Sequence, residues 1–310
     1  MRHALTIDVE DYFQVSAFEG VIDREHWPDR ESRVVRNTRA LLDLFDWYNR
    51  RGTFFILGWV AERFPELVRE IAGRGHEVAS HGWSHKLVYN QSPDEFRDET
   101  LRSKHLLEDI TGERVLGYRA ASYSITEKSR WALDVLVDAG FDYDSSIFPI
   151  RHDRYGIPGS EVAPHRLQTP NGATLTEFPI SVAEVLGRRL PVAGGGYFRI
   201  FPLAMTLAGL RQVQASGRPF VFYLHPWEID PGQPRVPDAS VLSQFRHYTN
   251  LSRCEARLRV VLDSFELTTM RSVLDDLALL PGAHEAELLA VGRPAKPTIA
   301  QRPEPSKRTR

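Results

Sequence analysis

Short apolar runs and longer stretches with apolar residues at helical spacing take turns along most of this chain. Residues 3–9 read as a buried strand. After a polar loop, the segment 33–50 sets Val34, Val35, Leu41, Leu42, Leu44, Phe45 and Tyr48 on one helical face, with Gly52 as its stop. Thr53 to Leu57 reads as a second strand, Pro65 to Ala72 as a helix, and Glu77 to Ser80 as a third strand running into His81. Ser92-Pro93-Asp94-Glu95 opens the next helix with an N-cap serine, proline at the first helical position and glutamate three residues on; Gly112 closes it. A strand near 114–118, a helix capped by Thr126 and running to Ala139, and a strand entering Asp142 to Ser146 repeat the pattern.

The middle third differs. Asn171-Gly172 between two alternating segments predicts a β-hairpin that decorates the main sheet. Gly194-Gly195-Gly196 leads to a helix at about 202–216, and the apolar strand from Pro219 to Leu224 delivers His225. A further helix, a strand near Phe265 to Thr269 and a short helix follow. Strand–helix alternation of this kind predicts an α/β fold with a parallel sheet or a βα barrel, in which reacting groups gather at the carboxyl ends of strands. The expected organisation is one domain over 1–280, including a C-terminal extension at about 229–280. The Pro-, Ala-, Lys- and Arg-rich segment 281–310 lacks periodicity and is expected to be disordered.

Composition narrows the function class. A chain of 310 residues with 42% hydrophobic and 26% charged residues is globular. Its net charge of -2 gives no basic field, so no nucleic-acid partner is expected. The only cysteine, Cys254, has no partner for an internal disulfide. Charge near the N-terminus interrupts any signal-peptide core, and no run approaches the roughly 20 apolar residues of a membrane-spanning helix. The expected location is the cytoplasm.

The polar residues at the predicted strand ends carry the chemistry. His81 and His85 flank a tight loop in which Gly82 permits a sharp turn, so two imidazole nitrogens could reach one zinc ion at about 2 Å. Asp8, Glu10 and Asp11 leave the first strand together, and clustered acids repel one another unless a cation or arginine neutralises them. With a metal present, one acid would complete a His-His-carboxylate set and an unligated one could act as general base. Arg119 could pair with that base and orient it. His225, at the mouth of a pocket, suits protonation of a leaving amine, and Tyr123 and Trp227 could wall the site.

These fragments resemble the NodB-like polysaccharide deacetylases, carbohydrate esterase family 4. Thr6 to Asp11 is similar to the family's first motif, His81 to His85 to the second, Tyr118 to Tyr123 to the third, Asp144-Ser145-Ser146 to the fourth and Leu224-His225 to the fifth. The resemblance spans about residues 5–228. It implies a distorted (β/α) barrel with the inserted hairpin, Asp8 as catalytic base, Arg119 positioning it, His225 as general acid, both histidines and an acid as metal ligands, and Asp144 in the pocket wall. The cofactor implied is a divalent metal, zinc. Val9 separates the acids here, which leaves the third ligand open between Glu10, favoured, and Asp11; Ala121 stands where the family has proline. An oxyanion donor is expected from the backbone around Ser122 and Tyr123.

The implied activity is removal of acetyl groups from N-acetylated amino sugars. The loop after Phe13, the string Gly194 to Arg199 and Leu224 to Glu228 resemble the subgroup found with bacterial exopolysaccharide and exosortase systems. That subgroup implies an N-acetylated exopolysaccharide glycan or precursor as substrate and association with membrane-bound polysaccharide synthesis machinery. A catalytically silent carbohydrate-binding relative and a hydrolase of another non-peptide C–N bond are the alternatives.

Overall fold

A computed structural model describes residues 1–152 and 154–280. Its centre is β1 (His3–Val9), every residue of which is buried. A strand covered on both faces must be apolar wherever it has no special task, and β1 is, apart from His3, Thr6 and Asp8. The parallel strands β2 (Thr53–Ile56), β3 (Glu77–Ser80), β4 (Gly117–Tyr118) and β5 (Tyr143–Asp144) extend the sheet on one side of β1, and β10 (Val221–Leu224) pairs parallel with it on the other. The hairpin β6 (His165–Gln168) and β7 (Thr174–Glu177) closes the far edge, and β11 (Leu267–Thr268) pairs with His3 and Ala4. The strand order is β10-β1-β2-β3-β4-β5-β7-β6. The result is a mixed α/β fold whose sheet curls into a half-barrel. A separate hairpin comprises β8 (Val182–Val185) and β9 (Arg188–Pro191).

Ten helices accompany the sheet among the described residues: α1 (Val34–Trp47), α2 (Gly58–Arg63), α3 (Pro65–Gly73), α4 (Pro93–Thr111), α5 (Trp131–Asp138), α6 (Gly195–Ile200), α7 (Leu203–Ala215), α8 (Val241–Tyr248), α9 (Leu251–Ser264) and α10 (Met270–Asp276). Leu41, Phe45, Leu67, Ile71, Leu107, Leu133 and Leu258 bury their side chains with Leu5, Ile7, Phe54 and Phe222 in one cluster. Each such side chain contributes roughly 1.5–3 kcal/mol of hydrophobic stabilisation. No helix among the described residues is long and apolar enough to cross a membrane.

Strand register is what builds a site. Val9, Ile56, Ser80, Tyr118, Asp144 and Glu177 lie in one row across adjacent strands. The residues that follow in the chain, Glu10, His81, Arg119 and Ser145 among them, therefore leave the sheet at one end. Leu224 pairs with Ile7, so His225 emerges beside Asp8.

Several local expectations change. α1 stops at Trp47 because Asn49 takes a left-handed conformation (φ 49°) and Arg50 N–H bonds back to Phe45; Gly52 has no such role. Its closeness to the Leu5 carbonyl, 3.0 Å from where a β-carbon would sit, explains the glycine instead. The fourth and fifth strands shrink to two residues each. The helix expected from Thr126 begins as a 3-10 turn, Glu127–Ser129, before α5. The hairpin at Asn171-Gly172 extends the main sheet, since β7 pairs parallel with β5. α2, α8 as a separate helix, and the β8–β9 hairpin were not expected. The segment 281–310 lies outside the described residues.

Candidate active site

The carboxyl end of the sheet holds two groups of side chains facing each other across a cleft. One is a three-residue cluster: potential ligand atoms of Glu10, His81 and His85, all buried, lie within 4.8 Å of one another. Nδ1 of His81 donates to the Arg119 carbonyl at 2.8 Å, which fixes the tautomer and leaves Nε2 as an electron-pair donor. Oε2 of Glu10 is buried without a hydrogen-bond partner, although Nε2 of His85 is only 2.9 Å away. Two atoms so placed, with no aligned bond between them, suit a shared third partner, and two imidazoles with one carboxylate are the donor set of an open zinc site. Burial lowers the His81 pKa to about 4, so its nitrogen is unprotonated at neutral pH. Burial by itself would raise the Glu10 carboxyl, but the charges of His85 and His225 outweigh it and hold the group at about 2.

Asp8 and Arg119 form the first flank. The guanidinium is fully buried and stacks over Phe55 at 4.1 Å. It donates to Asp8 Oδ1 at 2.7 Å, Thr6 Oγ1 at 2.8 Å, Ser145 Oγ at 3.0 Å and the Ser145 carbonyl at 3.2 Å. One oxygen of Asp8 is thereby anchored and the other, Oδ2, faces the cleft 3.9 Å from His225 Nε2.

On the second flank, His225 Nδ1 bonds Oε1 of Glu228, three residues on, at 2.8 Å, and Glu228 Oε2 accepts from Arg199 Nε at 2.5 Å. Arg199 in turn donates to the carbonyls of Arg246, His247 and Thr249, satisfying the end of α8. His225 Nε2 lies 3.6 Å from Glu10 Oε1. Burial would lower the pKa of this imidazole, yet Glu10, the Glu228 hydrogen bond and Asp8 together raise it to about 9. Trp227 stacks on His225 with centroids 5.1 Å apart and donates its indole N–H to Glu10 Oε1 at 3.1 Å. The backbone approach here demands glycine: at Gly194 (φ 137°) a β-carbon would collide with the Tyr223 carbonyl, just before His225.

Both flanks open into a cavity of about 300 Å³, lined by Asp8, Glu10, His81, His85, Tyr123, Tyr155, Tyr197, Arg246 and His225 among others. Against known proteins, a family model described as "Polysaccharide deacetylase" matches residues 28–143. Residues 28–143 thus form a polysaccharide deacetylase domain of the NodB-like, carbohydrate esterase 4 type. A second model, "Domain of unknown function (DUF3473)", matches 145–275. Members of the deacetylase family are amide hydrolases acting on non-peptide C–N bonds.

Among relatives of this deacetylase domain, a peptidoglycan deacetylase of Helicobacter pylori is 36% identical over 141 residues, covering 44% of this chain and 47% of the relative. A peptidoglycan-N-acetylglucosamine deacetylase of Bacillus cereus is 27% identical over 44% of this chain and 52% of its own length. The chain thus spans about half the length of these relatives. In structure, a Mycobacterium smegmatis protein described as a polysaccharide deacetylase superposes with a TM-score of 0.61 at 20% identity over 89% of each chain, which shows the shared fold.

The fold brings Asp8, Glu10, His81, His85, Arg119, Tyr123, Trp227 and His225 to one place, and it corrects three expectations. Asp11 is not at the metal cluster: its Oδ2 accepts from Ser32 Oγ and from the backbone N–H groups of Arg33 and Val34, and its Oδ1 from Tyr12 N–H. It anchors the start of α1, where backbone donors would otherwise be unsatisfied. Asp144 does not line the cavity; it is fully buried beside Glu177, and burial raises its carboxyl to about 6 against the hydrogen bonds with Glu177 and Ser146 Oγ. The Tyr123 backbone N–H is used in its own turn, bonded to the Ala120 carbonyl at 3.0 Å, and so is not a free oxyanion donor.

Sequence reasoning did not assign Arg199 and Glu228 to the site, nor Tyr155, Tyr197 and Arg246. Glu228 follows His225 at the spacing of a capping box, and its side chain does accept from the His225 N–H, a signal that could have been found. Arg199 lies in a string already singled out, but only the folded chain brings it to Glu228.

Proposed function

We propose that this protein removes acetyl groups from N-acetylated amino sugars of a glycan, releasing acetate, with a divalent ion, zinc by its donor set, held by Glu10, His81 and His85. The observation that carries the reading is the opposed pair: a carboxylate oxygen of Asp8 and Nε2 of His225 face each other 3.9 Å apart over the metal cluster. A bound divalent ion supplies Lewis acidity toward the amide carbonyl and the attacking water.

The side chains of the chain itself supply the rest. Asp8, with one oxygen tied to Arg119, takes the proton of the attacking water through the other. Arg119 keeps that carboxylate aimed. His225, whose Nδ1 Glu228 holds and whose imidazole that carboxylate shifts toward the protonated form, donates from Nε2 to the departing amine. Trp227 keeps Glu10 oriented toward the histidines. Peptidoglycan and chitooligosaccharide deacetylases among the relatives support an N-acetylated sugar polymer as the substrate class. An exopolysaccharide or its precursor is the narrower proposal, resting on the strings around Gly194 and His225.

The test is acetate release by the zinc-loaded chain from tetra-N-acetylchitotetraose, with and without chelator. Asp8→Asn should retain fold and metal and lose roughly 10²–10⁴-fold in kcat. Undiminished turnover in that variant, or in the presence of chelator, would refute the reading.

A further inference from the structure

The cavity's charge is unbalanced away from its floor. Its only lining carboxylates among the described residues are Asp8 and Glu10, and both are met at close range, Asp8 by Arg119 and Glu10 by His85 and the Trp227 indole. Arg199 also lines the cavity, but Glu228 neutralises it. Arg154 and Arg246 line the rim, are exposed, and make no ion pair among the described residues.

These two arginines are held near the opening by rigid neighbours. Arg246 is in the last turn of α8, whose carbonyls Arg199 binds, including its own at 3.0 Å, so its backbone cannot drift from the cleft. Burial raises the pKa of the Tyr155 hydroxyl, and the charge of Arg246 lies close enough to oppose that rise. Tyr155 bonds Tyr197 across the opening at 3.1 Å and stacks on His152 at 3.8 Å, which anchors the turn that carries Arg154. Two guanidinium groups with no ion pair among the described residues favour an anionic sugar polymer over a neutral one, by charge-assisted and bidentate hydrogen bonds.

We propose that the rim formed by Arg154 and Arg246 binds an acidic group, phosphate or carboxylate, carried by the glycan next to its N-acetylated sugar. The substrate is an anionic glycan rather than a neutral one. This rests on the deacetylase reading for the reaction, but the rim's preference for an anion does not.

Two measurements separate the claims. The first is equilibrium binding by the full chain of three probes: N-acetylglucosamine 1-phosphate, a hyaluronan oligosaccharide of alternating glucuronate and N-acetylglucosamine, and tetra-N-acetylchitotetraose. The second is acetate release from the same three. An anionic probe should bind and, if turned over, react with a kcat/KM roughly tenfold or more above that of the neutral probe, and the margin should shrink in about 0.5 M salt. R154Q/R246Q should abolish the margin, whereas Arg253→Gln, exposed on α9 and outside the cavity lining, should preserve it.

Preference for the phosphate probe or for the carboxylate probe identifies the source of the charge. Equal or better binding of the neutral probe, or a margin that survives in R154Q/R246Q, overturns the proposal. Selective anion binding without acetate release from any probe would uphold the rim and count against the deacetylase reading alone.

Discussion

The two sides of the cleft are built in opposite ways. On the metal side, Asp8, Glu10, His81, His85 and Arg119 come from the parallel strands β1, β3 and β4 of one sheet, and each sits within a few residues of a strand end. Local sequence and sheet register are enough to bring them together. On the acid side, His225 is placed by β10 and held by Glu228 three residues on, but Glu228 is held in turn by Arg199, and Arg199 by the carbonyl end of α8, contacts that span 29 to 50 residues of chain. The family model for deacetylases matches 28–143, which holds His81, His85 and Arg119 but not Asp8 and Glu10, while the acid side falls in the separately matched 145–275. The comparison teaches that a metal cluster can be set by a regular sheet, whereas a protonated histidine needs a dedicated buried network to hold its charge.

Breaking that network should give the largest effect. Glu228→Gln leaves Arg199, 1% exposed, without its counter-charge, and loss of one partner of a buried ion pair costs about 3–5 kcal/mol. Chemical denaturation of the variant would show it as a lowered midpoint; an unchanged midpoint would mean the acid side is no more interdependent than the metal side. Next in size is metal affinity. Glu10→Gln should weaken zinc binding by about 100-fold or more and Trp227→Phe by about 10-fold, because the indole N–H orients the ligand from the opposite flank. Competition with a chromogenic chelator measures both, and an unaffected Trp227→Phe would uncouple the flanks.

Acid sensitivity offers a smaller contrast. Burial lowers His76, on the sheet side, to about 4 and His247, on the acid side, to about 3. Unfolded histidines take up protons near pH 6.5 while these folded ones resist, so their folded pKa values lie below the unfolded value. Stability is then fully present above about pH 6.5 and falls as pH drops toward 4, by on the order of 1–2 kcal/mol for each residue at pH 5. Thermal melts from pH 7 to 5 on the parent and on His76→Gln and His247→Gln would apportion the loss; a parent whose stability rises over that range would contradict it. Smallest is Asn49→Ala, which forces alanine into the left-handed position that ends α1 and should cost about 1 kcal/mol.

Long periodic segments were legible because their physics is local. The capping box at Ser92 and the left-handed Gly112 define α4 as expected, since both use groups within one turn of the helix. The two-residue strands β4 and β5 were not legible at their true length, because pairing partners decide where a ladder begins and ends. Asp11 shows the same limit at the site. By type and position it remained a second choice of ligand after Glu10, and only the arrival of Ser32, Arg33 and Val34 against its carboxylate assigns it to the helix.

By itself the sequence determined the inventory: alternating elements, the order of the acids, histidines and arginine, and their places at strand ends. Those follow from hydrophobic period and turn chemistry, which act over a few residues. Tertiary structure alone decided which acid faces the histidines, that Asp144 lies buried beside Glu177, and that Arg199 supports His225 through Glu228. These depend on contacts between distant segments, where burial removes water and leaves each charge to be satisfied by whichever partner the fold delivers.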